Sequence, residues 1–272
     1  MKDKERKSGN IIPKIIIVIS LIVVLFSGYN IAKILMNYGQ SQAEYRDLKK
    51  LVIMEQETEA PEQEVQETEK KDEWGFTYGT PPDIDWKELR EINPDIIGWI
   101  YIPAIDTSYP VLHGKDNDEY IHTTYTGTWA YDGSIFIETL NKTDFSDPHT
   151  IIFGHNMYSG TMFGKIRDIM DQETAPYNPY IWILTPRADY CYAMFSAQYV
   201  DINSDVYKLF AVRDKEFMEW EGEMLNGSNI RYPAVKFQYK TDHIITLSTC
   251  NTPLGPSARR VISAVRVLTR QH

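Results

Sequence analysis

Apolar residues recur along this chain in three rhythms. The first is an unbroken run, IIIVISLIVVLFSGY at residues 15–29, which NIAKILM extends to Met36. It is about one bilayer's worth of helix, with Lys33 near its end, where a lysine can snorkel to the interface. The second begins near residue 81 and consists of short β-type runs: GWIYIP, SYPVL, SIFIE, TIIFG, YIWIL, DYCYAMFSAQYV, HIITLS and RVISAVRVL. Turn chemistry separates them, as at Pro186-Arg187-Ala188-Asp189. The third is helical. PPDIDWKELREIN reads as a short helix with Asp83 or Asp85 as its cap and Asn93-Pro94 as its stop. Residues 204–225 carry Leu209, Phe210, Phe217, Trp220 and Met224 on or near one helical face. The pattern predicts a mostly β domain of eight short strands, a sandwich or a closed barrel, with an N-terminal helix and a helix inserted before the penultimate strand.

Charge divides the chain further. The 272 residues carry a formal charge of −10, and nine acidic residues against two lysines between Glu55 and Glu73 account for −7 of it. That tract is too poor in apolar residues to fold alone. It either extends the helix begun at SQAEYRDLKKLVIMEQ or acts as a self-repelling spacer. Lys2, Lys4, Arg6, Lys7 and Lys14 precede the apolar run against only Asp3 and Glu5. The positive-inside rule puts that end in the cytoplasm. The expected organisation is a cytoplasmic N-terminus (1–14), a transmembrane anchor (15–36), an acidic extracellular linker (37–80) and a folded domain (81–272). A cleaved signal peptide is the competing reading, but no small-x-small cleavage site follows the run. No basic patch with interleaved aromatics appears, so nucleic acid is not an expected partner.

Two cysteines, Cys191 and Cys250, cannot make a disulfide framework, though they allow one bridge. Cys250 ends a strand in which Ile244, Thr246, Ser248 and Cys250 share one side. A thiol at a strand end can be a nucleophile if a base or a cation assists it; otherwise it is a small buried hydrophobe. Among six histidines, His155 closes the strand TIIFGHNM after a glycine and is placed to face a cleft. No HxxxH, HxH or CxxC occurs, so neither a metal nor a cofactor is expected. Arg259 and Arg260 open the last strand. Alternation sends only one of them toward Cys250, where a guanidinium would stabilise a developing oxyanion.

Taken together, TLSTC, RRVISA, IIFGHNMYSGTMFG, IGWIYIPAIDTSYPVLHGKDNDEYI and GSIFIE resemble the sortases, and the serine in LSTC with the large preceding helix resembles class B. The resemblance covers roughly residues 83–268. It implies an eight-stranded sortase-type closed β-barrel and a membrane-held cysteine transpeptidase facing outward from a Gram-positive cell. Such an enzyme cuts a C-terminal sorting signal of secreted proteins after threonine, through a thioacyl intermediate. It then joins them to an amine of the wall precursor lipid II or to a pilin lysine. By motif, the resemblance makes Cys250 the nucleophile, His155 the acid–base group and Arg259 the arginine of the site, with Arg260 one residue away as the alternative. It makes Asn117, Ile121 and Ser248 candidate signal contacts. Glu138 and Phe153 stand where relatives often have Asp and Tyr. A purely hydrolytic cysteine peptidase and a non-catalytic, membrane-tethered binding module on the same barrel are the alternatives.

Overall fold

The computed structural model describes residues 11–54, 78–170, 178–230, 237–238, 240–251 and 254–272. The acidic tract 55–73 lies outside the described residues. The chain begins with α1 (Ile11–Val52), followed by a two-residue strand β1 (Ile53–Met54) that pairs with β2 (Asp83–Ile84). A short helix α2 (Trp86–Ile92) leads into β3 (Ile96–Ile102), β4 (Thr107–Leu112), β5 (Ile135–Ile137) and β6 (His149–Phe153). Then come α3 (Ile166–Met170), β7 (Tyr180–Leu184), β8 (Ala188–Asp201), α4 (Lys215–Asn226), β9 (Ile244–Cys250) and β10 (Ala258–Gln271).

Strands β3 to β10 close into one eight-stranded barrel in the order β10-β8-β7-β3-β4-β5-β6-β9. Closure gives each of these eight strands a partner on both sides. Two neighbouring pairs, β4 with β5 and β6 with β9, are parallel, and the other pairings are antiparallel. The expected eight β runs are these eight strands, and of the two architectures the pattern allowed, the barrel is the one formed. Ile245, Leu247, Ile262 and Ala264 point into the main core with Trp99, Trp182 and Ile100. Alternate residues of the same strands, Ile244, Val261 and Val265, point out and are covered by Phe217, Trp220 and Met224 of α4.

Two sequence expectations shift, and one left open, Asp83 or Asp85 as a helix cap, is resolved. The helix expected over 204–225 is two pieces: a 3-10 turn at Asp205–Tyr207 capped by Ser204, then α4, whose first amides at Glu216 and Phe217 are accepted by the Asp214 side chain. Ser and Asp side chains compete for backbone N–H groups and so restart a helix where the apolar spacing alone would run through. Helix α2 is capped by Asp85, which accepts from the Glu88 amide, while Asp83 belongs to β2.

The second shift is the more consequential. α1 is long and apolar enough to cross a membrane, with mean hydropathy 2.5 in a window none of which is buried. It does not end at residue 36, and its last turns are part of the domain. Tyr45, Leu48 and Val52, at i, i+3 and i+7, are buried in the main core. Tyr45 stacks edge-on against Tyr109, and its hydroxyl donates to the Gly133 carbonyl at 2.7 Å. Residues 41–54 therefore pack on the barrel instead of belonging to a spacer. The intervening Arg46, Asp47, Lys49 and Lys50 lie between these apolar positions and give the stretch its polar look.

Candidate active site

Antiparallel pairing sets Arg259 directly opposite Cys250, and Arg260 opposite Thr249. Directly opposed residues on a sheet share a face, and the next residue takes the other. Cys250 and Arg259 thus project together on the outer side of the wall, in line with Ser248 and Val261. Arg260 turns away, with its guanidinium 5.9 Å over the Tyr199 ring. Arg259 is held by its own turn: one nitrogen donates to the Pro256 carbonyl at 2.8 Å and the Ala258 carbonyl at 3.0 Å. Cys250 is a free, half-buried thiol, while Cys191 is free and fully buried, and burial pushes its thiol pKa well up. The two cysteines form no bridge.

β6 lies parallel beside β9, with Phe153 opposite Ser248, and this brings the residues just past β6 to the thiol's end of the barrel. His155 is two residues beyond. Its Nε2 lies 2.7 Å from the Ile121 carbonyl. A carbonyl only accepts, so Nε2 carries the proton and Nδ1 is the basic nitrogen of the neutral ring. His155 stacks on His122, with ring centroids 5.3 Å apart at 16°. Burial lowers its pKa, opposed by the Ile121 hydrogen bond and by the charge of Asp132. The ring is thereby biased toward the neutral form.

One cavity of about 470 Å³ collects these groups. Cys250, His155 and Arg259 all line it, with Asn117, Ile121 and Ser248. The sequence-expected site residues therefore share one hollow. The three candidate contacts differ in freedom. Ile121 lines the hollow half-buried, packed against the main core. Ser248 is bonded to the Tyr207 hydroxyl at 2.8 Å. Asn117 is committed to the wall: its amide donates to Glu138 at 2.6 Å, and its oxygen accepts from the Thr139 amide at 2.9 Å.

Sequence reasoning did not single out His122, Tyr207, Phe136 or Ile202. The last three also line the cavity. Tyr207 was hidden inside an apparent helix. His122 sat in a polar loop with no local signal. A larger hollow of about 970 Å³ at the other barrel end is lined by Arg90, Lys142 and Arg187 with Asp95 and Asp144, and holds no thiol. Among the described residues no cluster of three or more His, Cys, Asp or Glu is placed to hold a metal.

Comparison with known proteins points the same way. The model of the sortase domain family matches residues 100–267. Sortase B of Listeria monocytogenes is 31% identical over 189 residues, covering 68% of this chain and 74% of that protein. The structure of a Staphylococcus aureus sortase B–substrate complex superposes with a TM-score of 0.67 at 24% identity, covering 85% of this chain and 98% of that one. Clostridium perfringens sortase B superposes with a TM-score of 0.62 at 26% identity, covering 68% of this chain and 100% of that one.

Proposed function

This chain belongs to the sortase family of cysteine transpeptidases, with sortase B proteins among its relatives, and we propose that it cleaves a C-terminal sorting signal after threonine and transfers the acyl part to an amine. The observation that supports this most directly is the convergence of Cys250, His155 and Arg259 on one cavity rim. Amide transfer needs a nucleophile, a proton carrier and a positive partner for the carbonyl oxygen, and these residues supply one each.

In the first half, the Cys250 sulfur attacks the threonine carbonyl carbon while its proton passes to His155 Nδ1. The carbonyl oxygen becomes an oxyanion facing the Arg259 guanidinium. The C–N bond then breaks, the nitrogen leaves with the proton from His155, and a thioester remains. In the second half, an incoming amine attacks the thioester and gives its proton to His155. The C–S bond breaks, an amide forms, and the proton returns to sulfur. No net oxidation or reduction occurs. The Ile121 carbonyl keeps Nε2–H engaged throughout, so one nitrogen does the proton work.

The reading extends to location and partners. α1 would anchor the enzyme, with its basic N-terminal flank in the cytoplasm and the barrel outside. Secreted surface proteins would be donors, and the amine of a peptidoglycan precursor or a pilin lysine the acceptor. Ile121 and Ser248 would contact the signal, and Asn117 would shape the wall.

The test uses a soluble chain from residue 38, incubated with sorting-signal peptides with and without a short amine. Mass spectrometry should find a thioacyl adduct on Cys250 and an acceptor-linked product. Acid as the sole product at every amine concentration would favour the hydrolytic peptidase. Peptide binding without any adduct, from folded protein with a reactive Cys250, would favour the binding module.

A further inference from the structure

Helix α1 serves as a ruler along the barrel. The loop between Ile121 and Ser134 touches it at two heights, the upper one twice. Tyr125 and Thr126 meet Glu44: the Tyr125 hydroxyl donates to the Glu44 carbonyl at 3.0 Å. The chain then descends. The Asn37 side chain donates to the Trp129 carbonyl at 3.3 Å and accepts from the Tyr131 amide at 3.1 Å, gripping both sides of Ala130. It rises again, so that Gly133 and Ser134 meet the Tyr45 hydroxyl. At 1.5 Å per residue, the step from Glu44 to Asn37 is about 10 Å. Trp129–Tyr131 is therefore the lowest point of the loop, one residue past the apolar run that ends at Met36.

The composition at that height is unusual. Residues 34–43 and 121–131 contain no Asp, Glu, Lys or Arg, in a chain that is 24% charged. They are rich instead in Thr and Tyr. Trp129 is 54% exposed, packs edge-on against Tyr131 at 4.6 Å, and Tyr131 in turn meets Tyr38 at 5.5 Å. Aromatic groups with one polar end suit the headgroup layer of a bilayer, and the charge that follows them, Asp132, is buried away from that surface. The same loop reaches the site: Trp129 lies 6.1 Å from the His122 ring, which stacks on His155.

We propose that the Trp129–Tyr131 loop, clamped to α1 by Asn37, docks on the lipid headgroup layer and holds the His155 side of the cavity at the membrane face. This rests on the anchoring role assigned to α1. An acceptor presented from a lipid would then reach the cavity without leaving the bilayer. The clamp sets orientation as well as height, because α1 is packed into the barrel through Tyr45, Leu48 and Val52 and does not swivel.

Spin labels test this on the full chain carrying Cys250→Ala, reconstituted in vesicles of phosphatidylcholine and phosphatidylglycerol. One label is placed at each of Leu25→Cys, Trp129→Cys and Thr126→Cys, and collisions with oxygen and with a water-soluble nickel chelate are compared. The expected result is Leu25 within lipid, Trp129 shielded severalfold from nickel relative to Thr126, and Thr126 in water. Leu25 within lipid with Trp129 as wet as Thr126 would overturn the docking and leave the anchor standing. Trp129 and Thr126 equally immersed would overturn the proposed height. Leu25 in water would overturn the anchor and the docking with it. Tyr131→Cys, read the same way, repeats the test should the Trp129 variant misfold.

Discussion

Arg259 stands directly across the β9–β10 ladder from Cys250, while its neighbour Arg260 opposes Thr249 and points to the other face. Arg259→Ala is therefore expected to lower kcat for peptide transfer by about 10²-fold or more, the usual loss of an oxyanion partner. Arg260→Ala should change kcat by only about twofold, as for a substitution away from the reacting groups. Steady-state kinetics of both variants on one signal peptide checks this. Equal losses would remove Arg259's special position.

Gly133 holds φ at +51°, and a Cβ there would lie 2.1 Å from the Ile121 carbonyl oxygen, the atom that accepts from His155. Gly133→Ala should cost at least about 1–2 kcal/mol for the left-handed backbone alone. It should also lower kcat by displacing the carbonyl that orients the imidazole. Gly127→Ala is the matched comparison: φ is +80°, but open space surrounds it. That variant should lose stability and keep its turnover. Thermal melts and kcat measured on both separate strain from misplacement.

His149 is fully buried; its Nδ1 donates to the Lys208 carbonyl at 2.7 Å and its Nε2 accepts from the Thr246 hydroxyl at 2.8 Å. Burial lowers its pKa to about 4. Between that value and the ordinary pKa of about 6.5, the unfolded chain takes up a proton that the folded chain refuses. Stability is thus fully present above about pH 6.5 and is lost as pH falls toward 4, by on the order of 3 kcal/mol. Denaturant midpoints between pH 7 and 4.5 should fall accordingly. His149→Gln, which can make both hydrogen bonds but does not titrate, should flatten the slope.

Leu48 is buried where α1 meets the barrel. Leu48→Ala is expected to cost about 2–5 kcal/mol, as for a leucine deleted from a packed core. A chain starting at residue 38 should melt higher than one starting at residue 75, which lacks Tyr45, Leu48 and Val52. Calorimetry of the two chains decides whether these turns of α1 belong to the folded unit.

Much of this was legible without coordinates. The eight β runs are visible because a strand's period-2 and apolar-run signals are local, and the long apolar segment is visible because a bilayer sets its length. Cys250, His155 and the arginine pair stand out because their residue types, at strand ends beside turns, already suggest the chemistry.

What stayed hidden depends on contacts between distant parts of the chain. Register set which of Arg259 and Arg260 faces Cys250, and a ladder's register is set by the whole barrel's closure. Helix α1 looked like anchor plus spacer because its buried face is three residues wide and finds its partner, Tyr109, far along the chain. The resemblance offered Asn117 as a candidate contact, but no local signal showed that Glu138 and Thr139, more than twenty residues on, hold both ends of its amide. The sequence by itself determined which elements form and which groups can do the chemistry, because both follow from local pattern and residue type. Only the tertiary structure decided which groups meet, because a meeting is a property of two segments and neither carries it alone.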